Sequence, residues 1–220
     1  MSEWSSYYRE MVEYYDGAKY SFDWRAVKQA YTEAETKMGA ERRATMEWLQ
    51  EAFAGRRVLE LACGGGAWTR HIARTASSVL ATDTCGEMLR IGRELTPAAN
   101  VEFGLRDAFD LAGLPRRFDA AFHFNFINHV AYEDWPRLLG GLHAVLEPGA
   151  VVVMGGQPYR GDQQDGRGNN YDWRECDSGQ RYRLIDNWPD GDRVRAVVGE
   201  LAADLEYHEK QGWMASYRVP

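Results

Sequence analysis

From about residue 56 the chain alternates short apolar, β-rich runs with stretches of helical periodicity, and this alternation narrows the fold more than any other feature. It is the signature of a parallel sheet covered by helices. Residues 57–61 read as the first strand, with a helix near 68–75. Residues 79–83 read as the second, with a helix near 86–95. Residues 101–105 and 118–124 are the third and fourth. Trp135, Leu138, Leu139, Leu142, Val145 and Leu146 then recur at helical spacing, Glu147-Pro148-Gly149 stops that helix, and residues 150–154 form a fifth, almost wholly apolar strand.

The ends differ in character. Trp24, Val27, Tyr31, Ala34 and Met38 fall at alternating spacings of three and four, as one helix face requires, and another helix is expected over residues 5–15. Residues 156–170 are polar and glycine-rich, so an exposed loop is expected there. Residues 182–188 and 213–219 read as the final antiparallel strands, with a helix near 194–205 between them. With 220 residues, 45% of them hydrophobic, the chain can bury one substantial core but is short for two, which predicts a single domain over 1–220.

No run of eighteen apolar residues appears, and the start lacks the basic and apolar segments of a secretory signal, so a cytoplasmic protein off the membrane is expected. Cys63, Cys85 and Cys176 are too few and scattered for a disulfide framework and make no metal-ligand spacing, so no metal is expected. A net charge of −7 opposes the counterion-release binding that nucleic acids require. A small-molecule substrate fits better; the oligomeric state is not legible.

The strongest local signal is Glu60-Leu61-Ala62-Cys63-Gly64-Gly65-Gly66, where a strand ends near an acid and feeds a glycine turn that opens a helix. Such a turn lets backbone approach a ligand, and the helix start offers N–H groups to a carboxylate or phosphate. Three details choose between ligands. A dinucleotide fingerprint would place a third glycine where Thr69 stands, which weakens a nicotinamide reading. Asp83 ends the second strand, where a carboxylate can accept from both hydroxyls of a ribose, although it could equally cap the helix that follows. Asp107 follows the third strand, where its carboxylate can accept from an adenine amino group, and the backbone of Ala108 can serve a ring nitrogen.

This series resembles the motifs of class I S-adenosylmethionine-dependent methyltransferases over roughly residues 56–155, and Leu146-Glu147-Pro148-Gly149 is similar to that family's turn before its fifth strand. The resemblance implies an α/β, three-layer Rossmann-like fold with a seven-stranded, mostly parallel sheet, one antiparallel strand, and the cofactor across the carboxyl ends of strands one to four. It also implies that Glu60, Ala62 and the turn from Gly64 to Gly66 approach the methionine part. Asp83 then holds the ribose and Asp107 and Ala108 address the adenine, while Trp68, Thr84, Met88 and Phe124 are further cofactor-binding candidates. Within the family, Tyr7-Tyr8-Arg9-Glu10-Met11-Val12-Glu13-Tyr14-Tyr15-Asp16 and Trp68-Thr69-Arg70 resemble a group of bacterial small-molecule methyltransferases that includes a phosphonate O-methyltransferase of dehydrophos biosynthesis. That likeness divides the chain into an N-terminal helical lid (1–54), a cofactor-binding core (55–156), and a substrate loop with C-terminal strands (157–220). Tyr8 and Tyr15 then touch the cofactor, as rings that shield a sulfonium or simply as packing.

His129, just past the fourth strand at the topological switch point, is the candidate base, since an unperturbed pKa of about 6.5 suits proton transfer near neutrality. It could instead bond backbone or orient substrate. Its neighbours Asn125 and Asn128 are substrate candidates. Arg174 and Arg183 resemble positions where the group receives an anionic substrate, but Asp186 stands where a lysine would align. That reversal favours a neutral or cationic acceptor unless an arginine neutralises the carboxylate. Methyl transfer to O or N of a small molecule is the leading expectation. A nicotinamide-dependent oxidoreductase and a non-catalytic S-adenosylmethionine-binding protein are the rivals.

Overall fold

The computed structural model describes residues 39–114, 117–156, 163–175, 179–209 and 212–220; the expected helices over 5–15 and 24–38, with Tyr8 and Tyr15, lie outside them. Helix α1 (Ala40–Ala52) leads into β1 (Arg57–Leu61), α2 (Thr69–Ile72), β2 (Ser78–Asp83), α3 (Gly86–Leu95), β3 (Val101–Leu105) and β4 (Phe118–Phe124). Two single 3-10 turns, Ile127–His129 and Tyr132–Asp134, join β4 to α4 (Trp135–His143). Next come β5 (Leu146–Gly156), β6 (Tyr171–Glu175), β7 (Arg181–Ile185), α5 (Gly191–Val198), β8 (Ala203–Glu209) and β9 (Trp213–Arg218).

Seven strands form one sheet in the order β3-β2-β1-β4-β5-β9-β8. All neighbours from β3 to β5 are parallel, and β9 runs antiparallel to both β5 and β8, so it is the single reversed strand. The order reverses between β1 and β4, where open α/β sheets bind ligands at their carboxyl ends. Side chains alternate across the sheet, as a strand's period of two requires. Val58, Val79, Ala120, Phe122 and Val153 pack with Leu49 and Phe53 of the α1 side. Leu59, Leu80, Ala121, Val152 and Met154 pack with Trp135, Leu138 and Leu142 of α4. Both faces are buried, which explains why these strands read as continuous apolar runs.

Three expectations need correction. Residues 182–188 do not pair with 213–219: β7 pairs β6 in a separate two-stranded sheet, and the partner of β9 is β8. The helix expected over 194–205 ends earlier, because Ala203–Glu209 is a strand. Its sequence, Ala-Asp-Leu-Glu-Tyr-His-Glu, is rich in helix formers, and as an edge strand it is held by the β9 ladder rather than by propensity. Finally, β5 begins at Leu146, before Pro148-Gly149. A register shift between Phe118↔Leu146 and Ala120↔Val151 takes up the extra residues, with Gly149 at φ 78°.

Candidate functional site

The chain leaves β1 through Ala62 at φ 49°, then Gly64 at 54° and Gly66 at 77°. Left-handed backbone costs a non-glycine residue roughly 1–2 kcal/mol, so Ala62 is strained where the loop turns out of the sheet. A Cβ on Gly64 would stand 3.3 Å from Met88 Cε, and one on Gly66 3.3 Å from Thr96 Oγ1. The loop is tied to its neighbours by backbone: the Cys63 N–H donates to the Thr82 carbonyl at 2.9 Å, and the Gly66 N–H to the Cys63 carbonyl at 3.0 Å.

Asp83 meets this loop. Its Oδ2 accepts from the Gly64 N–H at 2.8 Å and its Oδ1 from the Cys85 N–H at 2.9 Å. One oxygen thus organises the entry to α3 while the other latches the glycine loop. A carboxylate has about four lone-pair sites, so two backbone bonds leave it able to accept from hydroxyls as well. Thr84 and Met88 flank it half-buried. Asp107 folds its own turn, its Oδ1 accepting the Phe109 N–H at 2.9 Å, with Ala108 buried beside it.

Glu60 is buried at the end of β1, and the Thr69 hydroxyl donates to its Oε2 at 2.6 Å. Burial pushes its pKa up to about 8; the Thr69 bond works against this, and the charge of Asp83 adds to it. Thr69, at the place of a dinucleotide motif's third glycine, therefore has work that a glycine could not do. Beside it, the Trp68 ring packs against Phe124 at 4.8 Å and Phe122 at 5.8 Å between centroids.

On the other side of the switch point, Asn125 leaves β4 exposed and left-handed, at φ 58°, its N–H donating to the Gly155 carbonyl at 2.9 Å. The buried Asn128 amide fills the space a side chain on Gly156 would need. His129 is buried, and its Nδ1 lies 2.6 Å from the Ile185 carbonyl at the end of β7. Burial lowers its pKa; the charge of Asp186 and the Ile185 bond oppose that, while Arg174 adds to it. Arg174 Nη2 lies 3.5 Å from Asp186 Oδ2, so the carboxylate at the expected lysine position has the neutralising arginine that the sequence left open.

The structure does not bring Arg183 to Arg174. In the β6–β7 register Arg183 stands opposite Trp173 and Arg174 opposite Tyr182, which sets the two arginines on opposite faces, with Arg183 over the Tyr171 ring at 5.8 Å. Two buried residues were missed from sequence. Asn187 Nδ2 donates to the Val130 carbonyl at 3.1 Å and to Asn169 Oδ1 at 3.1 Å, and Asn169 Oδ1 also accepts the Tyr132 N–H at 2.9 Å. Their positions in polar, turn-like sequence gave no signal of burial.

Residues 58–149 match the methyltransferase domain family. A ubiquinone biosynthesis O-methyltransferase of Xanthomonas campestris pv. campestris (strain B100) is 29% identical over 106 residues, 47% of this chain and 44% of that protein. One of Ruegeria pomeroyi is 29% identical over 106 residues, 47% of this chain and 42% of that protein. The chain thus matches less than half the length of these curated relatives. Among solved structures, a DhpI–SAH complex superposes with a TM-score of 0.75 at 23% identity, covering 96% of each chain. SAM-bound CalS10, an amino pentose methyltransferase from Micromonospora echinaspora, superposes with a TM-score of 0.61 at 18% identity, covering 88% of this chain and 97% of that one.

The chain has the class I S-adenosylmethionine-dependent methyltransferase fold.

Proposed function

We propose that this chain transfers the methyl group of S-adenosylmethionine to an oxygen or nitrogen of a small molecule in specialised metabolism. The observation that carries the reading is the Asp83 latch: one carboxylate holds the Gly64 N–H while keeping acceptor capacity at the switch point of the sheet. This donor and acceptor set fits an adenosyl amino acid. Backbone of Ala62, Gly64 and Gly66 with Glu60 serves its amino-acid end, Asp83 and Thr84 its ribose, Asp107 and Ala108 its adenine. Trp68, Met88 and Phe124 supply apolar wall, and Tyr8 and Tyr15 are proposed to cover it. When bound, the cofactor supplies an electrophilic methyl on a positive sulfur. The protein's part is to align the acceptor and keep water out, with His129 as base.

For the acceptor, Asn125, Asn128 and Arg174 are the proposed contacts, and Arg183 joins them only if substrate reaches the opposite face of the hairpin. With Arg174 paired to Asp186, the carboxylate no longer argues against an anionic acceptor. Among the described residues no helix is long and apolar enough to cross a membrane. With the acidic balance of the chain, this supports a small-molecule enzyme of the cytoplasm that does not bind nucleic acid.

Isothermal titration with S-adenosylmethionine, S-adenosylhomocysteine, NAD and NADP tests the cofactor. Binding of the first two is expected, and binding of only the nicotinamide nucleotides defeats the proposal. Mass spectrometry of acceptor pools then identifies the methylated product.

A further inference from the structure

We propose that Ile185, Asp186 and Asn187, at the end of β7, are positioning residues for His129, which they hold as proton acceptor for a molecule whose nucleophile is a hydroxyl or an amine. The proposal rests on the methyl-transfer reading above and deepens it. Three successive residues, Asn128, His129 and Val130, are gripped by two residues of the other segment, Ile185 and Asn187. The Asn187 N–H donates to the Asn128 carbonyl at 2.7 Å, the Ile185 carbonyl meets His129 Nδ1 at 2.6 Å, and Asn187 Nδ2 donates to the Val130 carbonyl at 3.1 Å.

A carbonyl only accepts, so the short contact to Ile185 requires the ring proton on Nδ1 and puts the lone pair of the neutral imidazole on Nε2. The orientation of the Asn187 amide is fixed in turn. Its Oδ1 accepts the Asn170 N–H at 2.8 Å, and its Nδ2 donates to Val130 and to Asn169 Oδ1. Asn187 and Asn169 are both wholly buried, where a polar group left without a partner is costly. An apolar residue would cover the hairpin equally well, but it could not hold the carbonyls on either side of a histidine.

Asp186 supplies the charge. It lies within electrostatic reach of His129, with Arg174 tempering it and Asp172 adding to it. As the acceptor's X–H bond gives way to X–CH3, its proton passes to Nε2, and the electron pair of the broken S–CH3 bond stays on sulfur as a neutral thioether. The imidazolium so formed is buried within electrostatic reach of Asp186, which offsets part of the cost of its charge. A nucleophile without a proton would have no use for this arrangement.

Nitrogen-15 NMR of histidine-labelled protein saturated with S-adenosylhomocysteine tests the proposal without a known acceptor. His129→Gln assigns the signal among the five histidines. Near pH 7 His129 is expected neutral, with its proton on Nδ1. In Asp186→Asn the ring should stay neutral to a pH about one unit lower, because the opposing carboxylate is gone. Asn187→Ala should mix in the Nε2–H tautomer; if that variant does not fold, Asp186→Asn carries the test. A wild-type proton on Nε2, or an unmoved midpoint in Asp186→Asn, overturns the proposal. Failure of wild-type protein to bind S-adenosylhomocysteine strikes the methyl-transfer reading instead, so the two failures are distinguishable.

Discussion

The glycine loop and the His129 segment leave adjacent strands, β1 and β4, on either side of the switch point, and each begins with a left-handed non-glycine residue, Ala62 and Asn125. They are held by different means. The loop is tied to its own vicinity: Thr69 to Glu60, nine residues apart, and Gly64 to Asp83, nineteen apart. The His129 segment is tied to residues 56 and 57 positions away, on a hairpin outside the main sheet. Local ties build a site that exists once two strands pair, whereas distant ties make the acceptor side depend on how the hairpin docks.

If the two halves do separate work, substitutions should divide accordingly. His129→Ala should slow turnover by roughly 10²-fold or more, the usual range for losing a general base, and leave S-adenosylhomocysteine affinity within about twofold. Steady-state kinetics on an acceptor found in the pools, beside titration calorimetry, reads both. Equal turnover at neutral pH would remove His129 as base. Asp83→Ala should do the reverse and weaken cofactor affinity by about 100-fold, since it removes the loop latch and the ribose acceptors together. An unchanged dissociation constant would mean that Asp83 only shapes the turn.

The same contrast governs what could be read in advance. Glu60, Gly64, Gly66 and Asp83 could be singled out because they fall in short windows at strand ends, where spacing alone carries the pattern, whereas the Thr69–Glu60 bond could not. The positions of β1, β2 and β4 could be read because two-sided burial makes them nearly continuous apolar runs. On the other side, nothing in the sequence joins Asn187 to Val130, and the β6–β7 pairing that parts Arg174 from Arg183 depends on a partner strand that was not anticipated. Strand β8 was hidden for a related reason: only Leu205 and Tyr207 turn partly inward, while helix formers surround them.

Glu60 in one half and His123 in the other are both buried, and the two should respond oppositely to pH. Glu60 is raised to about 8 from 4.5, so the folded state holds a proton the unfolded chain has lost. The stability it contributes is fully present below pH 4.5 and is lost as pH rises through 8. Glu60→Gln should therefore raise stability, by about 3–4 kcal/mol more at pH 8 than at pH 5, measured by urea unfolding. An equal change at both pH values would mean that Glu60 is not held protonated.

His123, in β4 on the α4 face, runs the other way. It is wholly buried, edge-on to Phe126 at 5.9 Å, and neither ring nitrogen has a hydrogen-bond partner among the described residues. Burial drives its pKa down to about 3 from 6.5, so the folded state keeps it neutral while the unfolded chain takes up a proton. Its contribution is present above pH 6.5 and is lost as pH falls toward 3. At pH 5 this costs about 2 kcal/mol relative to neutral pH, and His123→Leu should recover that difference. Urea midpoints of wild type and variant at pH 5 and 7 measure it. Parallel shifts at both pH values would indicate a partner for the ring in solution, and the acceptor half would then lack the acid sensitivity that sets it apart from the Glu60 side.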